Sequence, residues 1–358
     1  HYLDILVGLA GNAAAKLSEI PMLSAEEKKQ VLEEFNQPSI EMQLEKTIHG
    51  VIRDQAERVP GNRAVQYEDQ WLTYREFNRQ ANRLAHVLKE YGVEAGTDSR
   101  VAMILPRSID MIVVLLGILK AGAACIPLDI AYPEERNRFI VKDSEAKLLI
   151  TSEGVSHNLG ETTGVVVVPY DWEKLKDSPA DDPGNKVLPG DLSYIIYTSG
   201  STGNPKGALL HHSGIVNHTE TKIGVLGITE RDTVANNFSI NVIASVWQIL
   251  SPLFCGARSM LYSEEVEWDP YLQFQRVEAD GVTVIEVIPS VLKAYLFTLE
   301  EGKEKIPLAG LRKIALTSEE TKPVLVNKFY KIYTHIDMVD CYGQTECCDD
   351  VLHYTIPH

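Results

Sequence analysis

The stretch Tyr194-Ile-Ile-Tyr-Thr-Ser-Gly-Ser-Thr-Gly-Asn-Pro-Lys-Gly207 carries an apolar run directly into a Ser/Thr/Gly loop that holds one lysine. Phosphate oxygens need several hydrogen-bond donors at close range, and this loop offers hydroxyls, backbone N–H groups and the Lys206 ammonium. A polar surface loop is the alternative, but the density of donors favours a phosphate-binding loop after a buried strand. A Walker loop is excluded because Gly207 follows Lys206, where that motif needs Ser or Thr.

On both sides of this loop, predicted strands alternate with predicted helices. Apolar patterning predicts strands over 100–105 and 123–127, each followed by a helix, and the alternation resumes beyond residue 216. Strands that alternate with helices favour parallel sheets with crossover connections. We therefore expect an α/β fold made of helix-flanked β-sheets.

The composition argues against several classes of function. The chain has 358 residues, of which 44% are hydrophobic and 23% charged, as is typical of a soluble globular protein. A formal net charge of -16 argues against nucleic acid or an anionic membrane as the main partner. No apolar run reaches the roughly 18 residues of a membrane helix. Five cysteines without zinc-site spacing predict a reduced, cytoplasmic protein.

Residues 198–206 resemble the phosphate-binding signature of the adenylate-forming superfamily, which includes acyl-CoA synthetases, luciferases and the adenylation domains of nonribosomal peptide synthetases. Residues 72–85 and 119–129 resemble conserved segments of adenylation domains, and we assign packing roles to them. The resemblance implies the large core subdomain of that fold over residues 43–358, truncated before the small C-terminal subdomain. That subdomain carries a lysine that contacts the substrate. We therefore expect the fragment alone to be a weak or inactive adenylate-forming ligase.

The segment Tyr342-Gly-Gln-Thr-Glu346 resembles the Tyr-Gly-Pro-Thr-Glu motif of the family. The resemblance implies that Tyr342 stacks on adenine, that Thr345 holds the α-phosphate and that Glu346 ligates Mg²⁺, which prefers oxygen ligands. Asp340 stands where the family usually has Asn and should face the adenine amino group. Lys206, Thr345 and Glu346 form the expected catalytic set. The expected ATP-binding residues are Thr198, Ser199, Gly200, Ser201, Thr202, Gly203, Lys206, Asp340, Tyr342 and Thr345.

The substrate pocket of the family maps onto this sequence with one departure. In the family an Asp pairs with the substrate α-ammonium, and here Ile243 stands at that position. Because an unpaired buried charge is costly, Ile243 favours a small carboxylic acid without an α-amino group. The resemblance favours an α-keto acid; an α-hydroxy acid, an aryl acid, or drift in a degenerate domain stays open. The expected pocket residues are Ile243, Ala244, Trp247, Glu286, Ala315, Thr317, Cys341, Gly343, Asp349 and Asp350.

Three acidic residues of this pocket leave two interpretations open. Glu286, Asp349 and Asp350 either face a basic group of the substrate or point away as solvated charges. If they face the substrate, one of them supplies the carboxylate that is missing at position 243 and pairs with an amino group of the substrate. Ile243 then does not exclude a substrate with an amino group.

Residues 1–42 resemble the linker that leaves a condensation domain, and Ser24 with Glu27 fits a capping box that opens a short helix. The resemblance implies ATP-dependent activation of an acid as acyl-adenylate in nonribosomal peptide or depsipeptide synthesis. The acid is then loaded onto the phosphopantetheine of a carrier domain, so carrier and condensation domains are the expected partners. The alternatives are an acyl-CoA or aryl-acid ligase and a catalytically inactive structural fragment of a megasynthase.

Overall fold

The computed structural model describes residues 2–11, 14, 16–35, 42–96, 98–152, 155, 159, 163–199 and 205–358. The chain divides into two compact units, His1–Glu41 and Met42–His358. The first unit contains helix α1 (Tyr2–Gly11), a 3₁₀ turn (Leu17–Glu19), helix α2 (Ala25–Lys29) and a π-helical turn (Gln30–Glu34). The predicted capping box is present at α2. The backbone N–H of Glu27 donates to Ser24 Oγ, and the backbone N–H of Ser24 donates to the Glu27 carboxylate.

The second unit is built on two β-sheets. Its strands are β1 (Arg63–Tyr67), β2 (Gln70–Thr73), β3 (Arg100–Ile104), β4 (Ala124–Pro127), β5 (Leu148–Ser152), β6 (Val166–Tyr170), β7 (Leu192–Thr198), β8 (Lys206–His211), β9 (Thr233–Asn236), β10 (Arg258–Leu261), β11 (Val284–Val287), β12 (Lys313–Leu316), β13 (Asp337–Gln344) and β14 (Asp349–Ile356). One sheet has the strand order β6-β5-β3-β4-β7-β8, and the other β14-β13-β12-β11-β9-β10-β1-β2. Neighbouring strands run parallel, except for the antiparallel edge pairs β1/β2, β7/β8 and β13/β14.

Helices connect the parallel strands, so the predicted α/β fold of helix-flanked sheets is confirmed. The helices of this unit are α3 (Ile48–Arg58), α4 (Tyr74–Glu90), α5 (Ile109–Ala121), α6 (Glu134–Asp143), α7 (Trp172–Leu175), α8 (His212–Leu226), α9 (Ile243–Cys255), α10 (Glu264–Trp268), α11 (Pro270–Ala279), α12 (Pro289–Glu300) and α13 (Pro323–Tyr330). In the described part of the chain, none of the helices is long and apolar enough to cross a membrane.

Helix α5 forms the centre of the core, because it contacts β3 and β4 of one sheet and β1 and β2 of the other. It is buried along almost its whole length, which fits a helix that is apolar on all sides. A Cβ at Gly117 would lie 2.7 Å from Leu84 of α4. This glycine therefore allows α4 and α5 to pack closely.

The strands β9, β11, β12 and β13 lie side by side in the eight-stranded sheet and run parallel. Their carboxyl ends therefore meet at one edge, and such edges are the usual ligand-binding sites of open α/β sheets. Glu286, Thr317 and Cys341, all predicted pocket residues, lie on or directly after these strands. The topology thus gathers residues that are far apart in sequence.

Candidate active site

The predicted phosphate loop joins two antiparallel edge strands. Thr198 at the end of β7 faces Lys206 at the start of β8, so the pair closes the base of the loop. Thr198 Oγ1 lies 3.5 Å from the backbone oxygen of Lys206, while Ser199 and the Lys206 side chain are exposed. The four residues Gly200, Ser201, Thr202 and Gly203 lie outside the described residues, so their phosphate contacts stay a prediction. The described ends of the loop leave Ser199 and Lys206 accessible to an anion.

The second predicted ATP motif lies at the end of β13 and in the 3₁₀ turn Thr345–Cys347 that follows. The Tyr342 side chain is 70% exposed, so its ring is free to stack on a flat ligand. Glu346 is exposed and Thr345 is half-buried beside it. The Asp340 carboxylate accepts a hydrogen bond from Thr321 Oγ1 at 2.5 Å, which fixes its orientation. The motif therefore presents an aromatic face, a hydroxyl and a carboxylate within one short segment.

Gly343 and the chain reversal after it shape the end of the motif. A Cβ at Gly343 would lie 1.9 Å from the backbone oxygen of Asp349, so only glycine fits where β14 returns beside β13. Cys348 and Asp349 adopt φ values of +65° and +104°, in the left-handed region that non-glycine residues rarely occupy. Strained backbone of this kind clusters at functional sites.

The predicted acid pocket begins at the first turn of α9. Ile243 is the first residue of this helix, is 8% exposed and has no acidic residue near it in that turn. Ala244 and Trp247 are buried on the same helix, at the spacing that places side chains on one face. Trp247 packs against Ala315 of β12 and Cys341 of β13 in one apolar cluster. The structure thus brings Trp247, Ala315 and Cys341 together, whereas Ile243 belongs to a different buried cluster. Thr317 is also buried.

Glu286 on β11 is fully buried, and the indole N–H of Trp247 donates to its carboxylate at 2.6 Å. Asp349 and Asp350 at the start of β14 are each 5% exposed. The interpretation that these three acids point away as solvated charges is therefore wrong. Asp349 and Asp350 are buried because β14 pairs antiparallel with β13, and this pairing turns both aspartates toward α8.

Lys222 of α8, which was not among the predicted site residues, is fully buried among these acids. Its Nζ lies 3.3 Å from a carboxylate oxygen of Glu286 and 3.4 Å from Cys341 Sγ, and it forms an ion pair with Asp350. The ammonium also lies 4.6 Å from the ring centroid of Trp247, a cation–π contact. Lys222 is therefore the protein's own counter-ion for the acids of the predicted pocket.

The helix spacing of α8 holds a signal for this site. Ile215, His218, Lys222 and Leu226 recur at the three- and four-residue intervals of one helix face, and all four are buried. A His and a Lys at core positions of a helix indicate buried partners, since such side chains are rarely buried unpaired. That pattern was available in the sequence.

Burial and pairing shift the pKa values of this cluster. Burial raises the pKa of Glu286 to about 7, against the opposing effect of Lys222. Burial disfavours the Lys222 ammonium, but the neighbouring carboxylates outweigh it and hold its pKa above the ordinary value. Burial also raises the pKa of Asp349 well above its usual range, and Asp350 adds to this effect. For Asp350, burial is outweighed by His353 and Lys222, and the pKa falls to about 2.

Comparison with known proteins identifies relatives along most of the chain. Residues 52–357 match the family described as AMP-binding enzyme. The chain is 35% identical to tyrocidine synthase 2 of Brevibacillus parabrevis, over 97% of this chain and 9% of that protein. It is also 35% identical to gramicidin S synthase 2 of Brevibacillus brevis, over 97% of this chain and 8% of that protein. The chain therefore spans less than a tenth of the length of these two relatives.

Among solved structures, the nonribosomal peptide synthetase FmoA3 in its α-methyl-L-serine-AMP-bound form is similar to this chain. Its TM-score is 0.86 at 25% sequence identity, covering 100% of this chain and 40% of that one. The similarity spans both sheets and the segments that carry the predicted ATP and acid sites. With the family match over residues 52–357, it shows that the chain belongs to the AMP-binding enzyme family.

Proposed function

We propose that this chain is the core of an adenylation domain that activates a small carboxylic acid without an α-amino group, in nonribosomal peptide or depsipeptide synthesis. An α-keto acid is favoured over an α-hydroxy or aryl acid. The observation that carries the proposal is Ile243, a buried apolar side chain at the first turn of α9. An α-ammonium beside it would be desolvated without a carboxylate partner at that position.

The buried Lys222 argues against the alternative interpretation, in which an acidic pocket residue binds an amino group of the substrate. Glu286 and Asp350 already share the Lys222 ammonium, so neither is free as a partner for a second cation. A substrate amine would have to compete with a lysine that is held by two carboxylates and the Trp247 ring. A neutral keto or hydroxyl group avoids that competition.

The proposed reaction joins the acid to ATP. A carboxylate oxygen of the acid forms a bond to the α-phosphorus, and the bond from that phosphorus to its bridging oxygen breaks as pyrophosphate leaves. Lys206 and the Thr198 and Ser199 hydroxyls would hold the phosphates by charge-assisted hydrogen bonds, and Tyr342 would stack on adenine. Asp340 would accept a hydrogen bond from the adenine amino group.

Glu346 and Thr345 fit the Mg²⁺ that ATP chemistry requires, because an exposed carboxylate and a hydroxyl follow each other directly. Mg²⁺ bound there would neutralise phosphate charge in the transition state. Glu346 is the protein ligand that we assign to it. The carboxylate of Glu346 supplies oxygen ligands, which Mg²⁺ prefers.

The proposal that this chain belongs to a peptide synthetase, and not to a stand-alone ligase, rests on its relatives. Both relatives named above are synthases many times longer than this chain, and each match covers 97% of this chain. We therefore propose that residues 1–42 are the linker after a condensation domain. The phosphopantetheine arm of a carrier domain would accept the activated acid.

The test is ATP–pyrophosphate exchange by the complete module against amino, keto, hydroxy and aryl acids. The proposal expects the strongest exchange with an acid that lacks an α-amino group. Release of the product by free coenzyme A would instead indicate an acyl-CoA ligase. Exchange with none of the acids would indicate a structural fragment.

A further inference from the structure

A second cluster lies against the Lys222 group, where α8 meets β14. It contains His218 of α8 and Asp349, Asp350 and His353 of β14. His218 Nε2 lies 3.9 Å from Asp349 Oδ2 and 4.0 Å from Asp350 Oδ2, and His353 Nε2 lies 3.7 Å from Asp350 Oδ2. The side chains are 5%, 8%, 1% and 11% exposed in that order. Two imidazoles and two carboxylates therefore converge in a buried space.

Several of the converging atoms lack hydrogen-bond partners among the described residues. These atoms are Asp349 Oδ2, Asp350 Oδ1 and His353 Nε2. Buried polar atoms nearly always have partners, so unpaired atoms gathered in one place indicate a common partner. His218 Nε2 accepts only a long hydrogen bond, 3.3 Å from the backbone nitrogen of Asp350.

We propose that His218, Asp350 and His353 form a Zn²⁺ site that fastens β14 to α8. Zinc binds histidine nitrogen and carboxylate oxygen at about 2.0–2.2 Å in a tetrahedron, so its ligand atoms stand about 3.4 Å apart. The separations of 4.0 and 3.7 Å between Asp350 Oδ2 and the two histidine nitrogens need only a small contraction. The ligand atoms of His218, Asp350 and His353 all lie within 4.8 Å of one another.

A neighbouring group of possible ligands, Glu286, Cys341 and Asp350, does not compete for the ion. These three side chains already surround the Lys222 ammonium, which is their cation. The divalent cation would bind on the side of Asp350 that faces the two histidines. Asp350 then bridges the metal and Lys222.

The site is tested on the full chain after dialysis against a chelator, by calorimetric titration with Zn²⁺ and by x-ray absorption at the zinc edge. We expect one equivalent of zinc, only nitrogen and oxygen ligands, and a rise in the melting temperature on binding. His353→Gln and His218→Gln, which keep side-chain size approximately, should each weaken zinc binding by more than about tenfold. His335→Ala, a histidine outside the cluster, is the matched control and should bind like the parent.

Two results overturn the site. One is a parent chain that folds but takes up no stoichiometric zinc. The other is zinc binding that survives both substitutions unchanged. Should His353→Gln fail to fold, His218→Gln and the absorption spectrum of the parent decide, because a sulfur ligand in that spectrum would move the ion to a cysteine.

Discussion

The Lys222 ammonium lies 3.3 Å from a carboxylate oxygen of Glu286, and both side chains are fully buried. The partners come from α8 and β11, separated by 64 positions in the chain. Taking two charges out of water is costly, so such a pair persists only with further contacts. Here the Trp247 indole and Asp350 provide them.

Lys222→Met tests this arrangement through stability. The substitution keeps side-chain volume but leaves Glu286 and Asp350 buried without a cation, so the free energy of unfolding should fall by roughly 3–5 kcal/mol. Denaturant unfolding at neutral pH measures the change. Adding Glu286→Gln to Lys222→Met should recover part of the loss, because one unpaired charge is removed.

Lys328→Met is the matched control for that experiment. Lys328 pairs with Glu300 at the surface, where ion pairs contribute about 0–1 kcal/mol. Equal, small effects of the two lysine substitutions would show that Lys222 is not a buried counter-ion.

The phosphate loop is tested by Lys206→Ala combined with Thr202→Ala. Hydrogen bonds to charged groups contribute about 1.5–3 kcal/mol each. The double substitution should therefore slow ATP–pyrophosphate exchange by at least about tenfold. Lys186→Ala, an exposed lysine of the preceding surface loop, serves as control and should leave exchange intact. Unchanged exchange in the double variant would refute the phosphate assignment.

Tyr342→Ala tests adenine stacking. Stacking of a base on an aromatic ring contributes about 1–3 kcal/mol, so the KM for ATP should rise by roughly five- to a hundredfold. Tyr342→Phe should keep the parent value because the ring remains. Tyr354→Ala removes another exposed tyrosine, on β14, and should change nothing. A nucleotide-bound structure with adenine away from Tyr342 would also contradict the assignment.

Glu346→Gln tests the magnesium ligand. The amide is a weaker ligand for Mg²⁺ than the carboxylate, so half-maximal exchange should need a higher Mg²⁺ concentration. Exchange is measured across a Mg²⁺ titration at saturating ATP. The same Mg²⁺ dependence in parent and variant would remove Glu346 from the metal site.

The surroundings of Asp232 predict how the stability of the fold changes at acid pH. Burial opposes its charge, but hydrogen bonds from Arg312 and Thr283 outweigh this effect and lower its pKa. A carboxylate with a lowered pKa stabilises the fold above its unfolded pKa of about 3.9, and this contribution is lost as pH falls through the folded value. Asp232→Asn should therefore destabilise the chain at pH 7 and much less at low pH.

The measurement is the melting temperature of parent and Asp232→Asn across a pH series. Asp177→Asn removes an exposed carboxylate and serves as control. A difference between parent and Asp232→Asn that is independent of pH would contradict the ionised role of Asp232.

Local patterns in the sequence predicted much of the fold and part of the site. Ile243, Ala244 and Trp247 lie together because helical spacing fixes them, and the β7–β8 hairpin follows from the strand-to-loop pattern around Thr198. Lys222 was missed because its partners lie on β11, β13 and β14. Cys341, for example, is 119 positions away. The spacing within α8 signals that Lys222 has buried partners, but only the order of the strands determines which residues these partners are.

The proposed zinc site could not be predicted from the sequence for a related reason. His353 and Asp350 are neighbours on β14, but His218 joins them from α8 through packing of the helix against the sheet edge. The three residues have no zinc-finger spacing in the sequence.

We propose that Ile243 selects an acid without an α-amino group. This selection is tested by ATP–pyrophosphate exchange by the complete module, with valine and the α-keto acid of the same carbon skeleton, in the parent and in Ile243→Asp. Val324→Asp places the same charge in the first turn of another helix, at a position 78% exposed, and should not alter the preference. We expect the parent to prefer the keto acid and Ile243→Asp to shift toward valine. A parent that activates valine better than the keto acid would show that Ile243 does not exclude an α-amino group.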